Sequence, residues 1–187
     1  EKHPLARGEW IKLYAALLNE EEKANELFSE QTAHLDALSD NASTNKTVAF
    51  FHISSSGFVV ARKSGDYVSK MIELAGGKYV FENLGDPDKD TSTVTVEMET
   101  FYEIAKDADF IIYNSTIGGE IKTMEEFLSL SGLLKNFKAV KTGNVWCTSE
   151  NMFQESLQLG RMIGDFNAIF TDNTENINGV RYLHKLK

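Results

Sequence analysis

The run Lys106-Asp-Ala-Asp-Phe-Ile-Ile-Tyr-Asn-Ser-Thr-Ile-Gly-Gly119 constrains the fold of this chain more than any other stretch. Residues 110–113 are unbroken apolar, follow a segment of helical pattern, and stop abruptly at Asn114, Ser115 and Thr116. A strand buried on both faces of a parallel sheet reads this way, because neither face can present polar side chains to water. In open α/β sheets ligands sit beyond the carboxyl ends of such strands, so the polar cluster 114–116 is where a binding site is expected.

Helices and strands alternate through most of the remaining chain. Residues 9–18 and 20–38 carry Trp10, Leu13, Leu17, Ala24, Leu27, Phe28, Leu35 and Leu38 at helical spacings, the signature of one apolar face. Glu20, Glu21 and Glu22 suit the start of the second helix, and the polar cluster 40–46 ends it. No strand precedes these helices, so they form an appendage to the α/β layer. Residues 47–53 then read as an apolar strand, 58–61 as a second short one, 66–75 as a helix stopped by Gly76-Gly77, and 82–95 as a long loop. Residues 99–106, 124–134 and 156–170 read as helices, and 143–148 as a strand. The expected fold is α/β: a small parallel, Rossmann-like sheet flanked by helices and preceded by a long N-terminal helical segment.

Composition excludes more than it identifies. A chain of 187 residues, 42% hydrophobic, can bury one core plus an appendage. Its net charge of −9 and the lack of a basic stripe argue against nucleic acid as a partner. Cys147 is the sole cysteine, which removes intrachain disulfides and multi-cysteine metal sites. With no signal peptide or long apolar run the chain reads as soluble, and the mature or truncated form of an exported protein would read the same. The four histidines are scattered without metal-ligand spacing, Cys147 reads as a buried inert thiol, and Gly118-Gly119 lacks a phosphate-binding fingerprint. No enzyme is expected and no cofactor is called for.

Several stretches, in order, resemble one family: the C-terminal lobe of ABC-importer substrate-binding proteins that carry ferric siderophores, haem or cobalamin. His3-Pro-Leu-Ala-Arg-Gly-Glu-Trp-Ile-Lys12 followed by Glu20-Glu-Glu-Lys-Ala-Asn-Glu-Leu-Phe28 looks like that family's interlobe backbone helices. The stretch 65–80, with Ala-Gly-Gly at its helix end, Asp107-Ala-Asp109 with the following strand, and 138–146 match later elements. The resemblance implies backbone helices over 1–46, ending a missing N-terminal lobe, and a ligand-binding α/β lobe over 47–187. The chain is then a fragment that keeps one wall of a two-walled cleft. It also implies export to the periplasm or to a cell-surface lipoprotein, a metal-chelate or tetrapyrrole ligand, and a membrane permease as partner. The isolated lobe is expected to expose apolar surface near Trp10 and Tyr14 and to self-associate. The competing class is a cytoplasmic α/β enzyme or regulatory domain binding a small ligand at the same strand ends.

Candidate ligand residues follow from the strand-end argument. Asn114, Ser115 and Thr116 end the most buried strand, and Phe58 belongs to the loop after the first. Arg62 and Lys63 form an adjacent basic pair suited to an anionic ligand such as a ferric catecholate or a haem propionate, while Tyr67 and Trp146 offer rings that stack on a flat one. Their plainer readings are a solvated cation pair and core aromatics. The resemblance further assigns permease docking to Glu99, with Glu97 as the alternative, because in that family a surface carboxylate at the start of this helix meets permease arginines. A carboxylate there also suits the helix N-terminus electrostatically.

Overall fold

A computed structural model describes residues 3–39, 43–85, 91–172 and 179–187. Two helices lead the chain, α1 (Pro4–Leu18) and α2 (Glu21–Ser39). The α1 helix begins where sequence chemistry permits: Pro4 occupies its first turn, where a missing N–H costs nothing, and His3 Nδ1 accepts from the Leu5 N–H. It ends at Asn19, which adopts the left-handed conformation that asparagine tolerates. The expected helices over 9–18 and 20–38 are thus present, the first of them longer than the apolar pattern showed.

The sheet has seven strands among the described residues: β1 (Thr47–Ile53), β2 (Val59–Arg62), β3 (Lys78–Tyr79), β4 (Thr93–Val96), β5 (Phe110–Tyr113), β6 (Val145–Thr148) and β7 (Leu183–Lys185). Their order is β4-β2-β1-β5-β6-β7, with β3 pairing the first residues of β1. The parallel layer read from sequence is the centre, β1-β5-β6, with β3 parallel beside it. Antiparallel strands complete the edges: β2 against β1, β4 against β2, and β7 against β6. Two corrections follow. The segment 82–95 is not loop throughout, since β4 begins at Thr93, although part of it lies outside the described residues. The final strand β7 went unread because three residues after a polar stretch carry too little pattern.

The remaining helices are α3 (Tyr67–Leu74), α4 (Met98–Ala105), α5 (Ser115–Gly118), α6 (Met124–Ser129), α7 (Lys138–Lys141) and α8 (Leu159–Phe170). The helix expected over 156–170 splits into a 3-10 turn, Ser156–Gln158, and α8; the one expected over 124–134 closes after six residues with α6. The start of α6 is a capping box, Thr123 and Glu126 each accepting from the other's backbone N–H.

Helices cover both faces. On one, Phe51 of β1 meets Phe101 of α4 at 4.3 Å and Phe127 of α6 at 6.4 Å between ring centroids, with Tyr113 edge-on at 6.1 Å. On the other, Phe110 packs edge-on against Phe170 of α8 at 5.4 Å, and α2 lies on α8 in turn. That second contact depends on a glycine. A Cβ at Gly160 would stand 2.4 Å from the Gln31 carbonyl oxygen, and the Gly160 N–H donates to Gln31 Oε1 at 3.1 Å. Gly160→Ala, although helix-favouring in isolation, must push α2 off α8. Denaturant unfolding should show a loss of about 1–3 kcal/mol; a variant as stable as the parent would mean that α2 is not seated there.

Candidate functional site

The parallel strands stop together, and the chain turns there with polar residues. At the end of β5, the Asn114 N–H donates to the Phe51 carbonyl at 2.8 Å, continuing the β1-β5 ladder one step beyond the strand. Asn114 Oδ1 then accepts from the N–H and hydroxyl of Thr116, at 3.2 and 2.5 Å, and caps α5. On the opposite edge of β1, the hairpin partner β2 places Val60 against His52 and Ala61 against Phe51, and β4 places Thr93 against Arg62. Because side chains alternate along a strand, Phe50, His52, Val60, Arg62, Thr93 and Asn114 emerge on one face of the sheet. With Thr116 and Ile117 they line a depression of about 220 Å³. Sites that enclose a small ligand hold roughly 300–1,000 Å³, so this is one wall of a site.

Its electrostatics centre on Arg62. The guanidinium lies 3.5 Å from Asp66 Oδ2, long for a charge-assisted hydrogen bond, and 5.6 Å over the Phe153 ring. Asp66 is buried and spends its Oδ1 on the Val68 N–H at the start of α3; burial pushes its carboxyl above the usual range against the pull of Arg62. His52 is 5% exposed, and among the described residues no hydrogen bond reaches its ring. Burial, and then the nearby Arg62 charge, hold the imidazole below its ordinary pKa, so it sits neutral beside a cation. Among the described residues, no cluster of three or more His, Cys, Asp or Glu side chains is placed to hold a metal ion.

Of the residues nominated from sequence, the fold brings Arg62, Asn114 and Thr116 into this depression. Phe58 stands in the turn at the tip of β1, 37% exposed, where the Ser54 N–H donates to the Phe58 carbonyl and the Phe58 N–H to Ser54 Oγ, closing the hairpin. Lys63 follows Arg62 but lies outside the lining, its N–H donating to the Ser92 carbonyl. Tyr67 faces α1, with Arg7 4.1 Å over its ring. Ser115 is buried and fastens β5 to β6, its N–H and hydroxyl both meeting Thr148 Oγ1 at 2.9 Å. Trp146 lies in the sheet interior at 5% exposure, and its indole N–H finds no partner among the described residues. His52, Thr93 and Ile117 were missed. For His52 a signal existed: a single histidine near the polar end of an otherwise apolar strand. Cys147 is buried, with its thiol pushed up to about 11 by burial. Glu97 and Glu99 sit exposed at the start of α4. Since β4 runs parallel to β1, that start lies at the same end of the sheet as the depression.

The sequence profile described as Periplasmic binding protein matches residues 5–151. The chain belongs to the periplasmic binding protein family. Curated relatives include two lipoproteins of Methanocaldococcus jannaschii, both described as uncharacterized. They are 30% and 31% identical over 84% and 80% of this chain, which spans 36% and 38% of their lengths. Among solved structures, the periplasmic heme-binding protein RhuT of Roseiflexus superposes with a TM-score of 0.72 at 16% identity, covering 91% of this chain and 64% of its own. The TroA-like periplasmic binding protein FepB of Veillonella parvula gives 0.70 at 14% identity, over 97% of this chain and 61% of its own. At such identities the likeness is one of fold. The periplasmic binding protein fold therefore accounts for the sheet and its helical layers.

Burial beside the Arg62 charge makes His52 testable in the free protein. NMR titration should show it titrating below about 6.5, the value of a solvated imidazole. A depressed folded pKa contributes stability that is fully present above the unfolded value and lost as pH falls through the folded one. Unfolding free energy should therefore drop on acidification below about pH 6.5, less so in His52→Gln. A His52 that titrates at or above the solvated value would contradict this placement.

Proposed function

We propose that this chain is the ligand-binding lobe, with its backbone helices, of the substrate-binding component of an ABC importer. In this reading residues 1–46 are the interlobe helices and 47–187 the lobe. The lobe presents one wall of a cleft to an iron-siderophore, haem or cobalamin-type ligand and delivers it to a membrane permease. The observation that carries the reading is the depression lined by His52, Arg62, Thr93, Asn114 and Thr116, at the strand ends of a periplasmic binding protein fold. Arg62, Asn114 and Thr116 contact the ligand, Phe58 forms the rim, and Lys63, Tyr67, Ser115 and Trp146 flank that wall, Trp146 buried on the same sheet face. Ligand class is supported by relatives alone: one superposing structure is named a heme-binding protein and another an Fe3+-hydroxamate transport protein. The lipoprotein relatives support an exported, surface-held location. Titrating the chain with hemin, ferric siderophores and cobalamin by absorbance should yield saturable binding of one class, weakened by Arg62→Gln. Absence of saturation with all of them would sink the reading.

Permease docking falls to Glu99, or to Glu97 beside it. Both are exposed at the cleft end of the sheet, and neither makes an ion pair among the described residues. In a transport assay with the complete importer, Glu99→Gln should cut permease binding most at low salt and leave ligand affinity unchanged. Unaltered transport with only a lower melting temperature would make Glu99 a helix-end charge.

The α1 face also bears on assembly. Trp10 is 48%, Tyr14 62%, Leu17 74% and Leu18 70% exposed, an apolar run of the kind that marks interaction surfaces. The chain by itself is proposed to self-associate through it. Light scattering at high concentration should report species above 21.0 kDa, reverting to monomer in Leu17→Lys; a strictly monomeric parent would contradict this.

A further inference from the structure

The depression contains a group that the fold does not use. His52 is more than nine-tenths buried, points onto the same face as Arg62, and among the described residues has no hydrogen-bond partner. His52 is not an enclosed orphan of the core, as the Trp146 indole N–H is among the described residues; its ring edges the open depression, where a ligand group can meet it. An apolar residue would fill this strand position equally well for the fold, as Phe50 does two residues earlier on the same face.

What the group would bind follows from its surroundings. The β2 strand contributes Arg62, whose charge His52 senses. Asp66 at the start of α3 pairs with Arg62 and is itself influenced by Arg7 of α1. The β4 strand contributes Thr93, and the β5 end with α5 contributes Asn114 and Thr116, none of which titrates. A metal ion placed against His52 would meet the Arg62 cation, whereas an anionic oxygen would satisfy both. We propose that His52 and Arg62 form an anion-recognition pair, taking a carboxylate or catecholate oxygen of the ligand between imidazole and guanidinium, with His52 taking up one proton as the ligand binds. The inference rests on the lobe being a ligand-binding wall, and narrows its ligand to one carrying an anionic oxygen group at its edge.

The linkage has a defined sign. Burial and Arg62 keep the free imidazole neutral at pH 7; an adjacent anion favours the imidazolium, so binding strengthens as pH falls. One proton taken up changes affinity by at most about tenfold per pH unit.

The test uses the whole chain with three probes at pH 8.0 and 5.5: hemin and a ferric tris-catecholate, both anionic, and cyanocobalamin, whose corrin carries amides in place of carboxylates. Calorimetry in two buffers of different ionisation enthalpy counts the protons taken up. The expected result is binding of an anionic probe, tighter at pH 5.5, with a proton absorbed from buffer. Arg62→Gln should weaken it about 10- to 100-fold. His52→Gln should remove the excess pH dependence, lowering affinity more at pH 5.5 than at pH 8.0 and abolishing the proton uptake. Proton counting on the unaltered chain decides the matter even where a variant fails to fold. Three outcomes overturn the inference and leave the lobe a ligand-binding wall. These are anionic binding without proton uptake, a preference for cyanocobalamin, and a hemin absorption band that disappears in His52→Gln, which would make the imidazole an iron ligand. Failure of all three probes to bind overturns both readings.

Discussion

The pairing of β1 with β5 fixes everything that this structure places at its ligand-facing end. Both strands are apolar and buried on both faces, so their attraction alone would tolerate a slip along the ladder. Polar clamps remove that freedom. At the amino end, Asp109 Oδ2 accepts from the N–H and hydroxyl of Thr47 at 2.9 Å each, and its own N–H donates to Thr47 Oγ1. Lys138 reaches the second oxygen at 2.8 Å. Burial works against the Asp109 charge, but the Lys138 and Thr47 hydrogen bonds outweigh it and hold the carboxyl below its usual range. At the carboxyl end Asn114 bonds to Phe51, and Ser115 ties the same turn to Thr148 of β6. With the register pinned at both ends, His52 and Asn114 must share a face. A slip of one residue would turn His52 toward α4 and α6, where the aromatic cluster around Phe51 now sits.

This explains which parts were legible in the sequence. The strands at 47–53 and 110–113 announced themselves because burial on both faces leaves no choice of residue. The outer edges did not: β2 reads one residue early, but β4 is mostly half-buried and reads as well as loop as it does as strand. The site was partly legible for the same reason. Asn114 and Thr116 could be placed because strand ends are a local feature of the chain. His52 carried a local signal as a histidine near a strand end, but its meaning lies in β2 bringing Arg62 onto the same face, a pairing that its own position does not encode. Trp146 shows the converse: two residues from the end of β6 in sequence, it points into the sheet interior rather than past its end.

The fold and the site carry different kinds of information. Structures sharing 14–16% of their residues with this chain keep the same layered sheet, because that arrangement depends on apolar pattern and turn placement. Ligand choice rests on a handful of polar side chains on one wall, and those are free to vary while the sheet persists. The small volume of the depression fits this division. One wall gives orientation and charge recognition, and most of a ligand's buried surface must come from elsewhere.

The central claim is that the strand-end face carrying His52, Arg62, Asn114 and Thr116 receives the ligand. Backbone amide shifts of the isotope-labelled chain, recorded by NMR during titration with a diamagnetic gallium tris-catecholate, test it most directly. The account predicts saturable shifts confined to residues 50–62, 93–95 and 114–117. Shifts centred instead on the α1 face around Trp10, or on the lysine-rich depression at Lys106, Lys138 and Lys141 at the other end of the sheet, would contradict it.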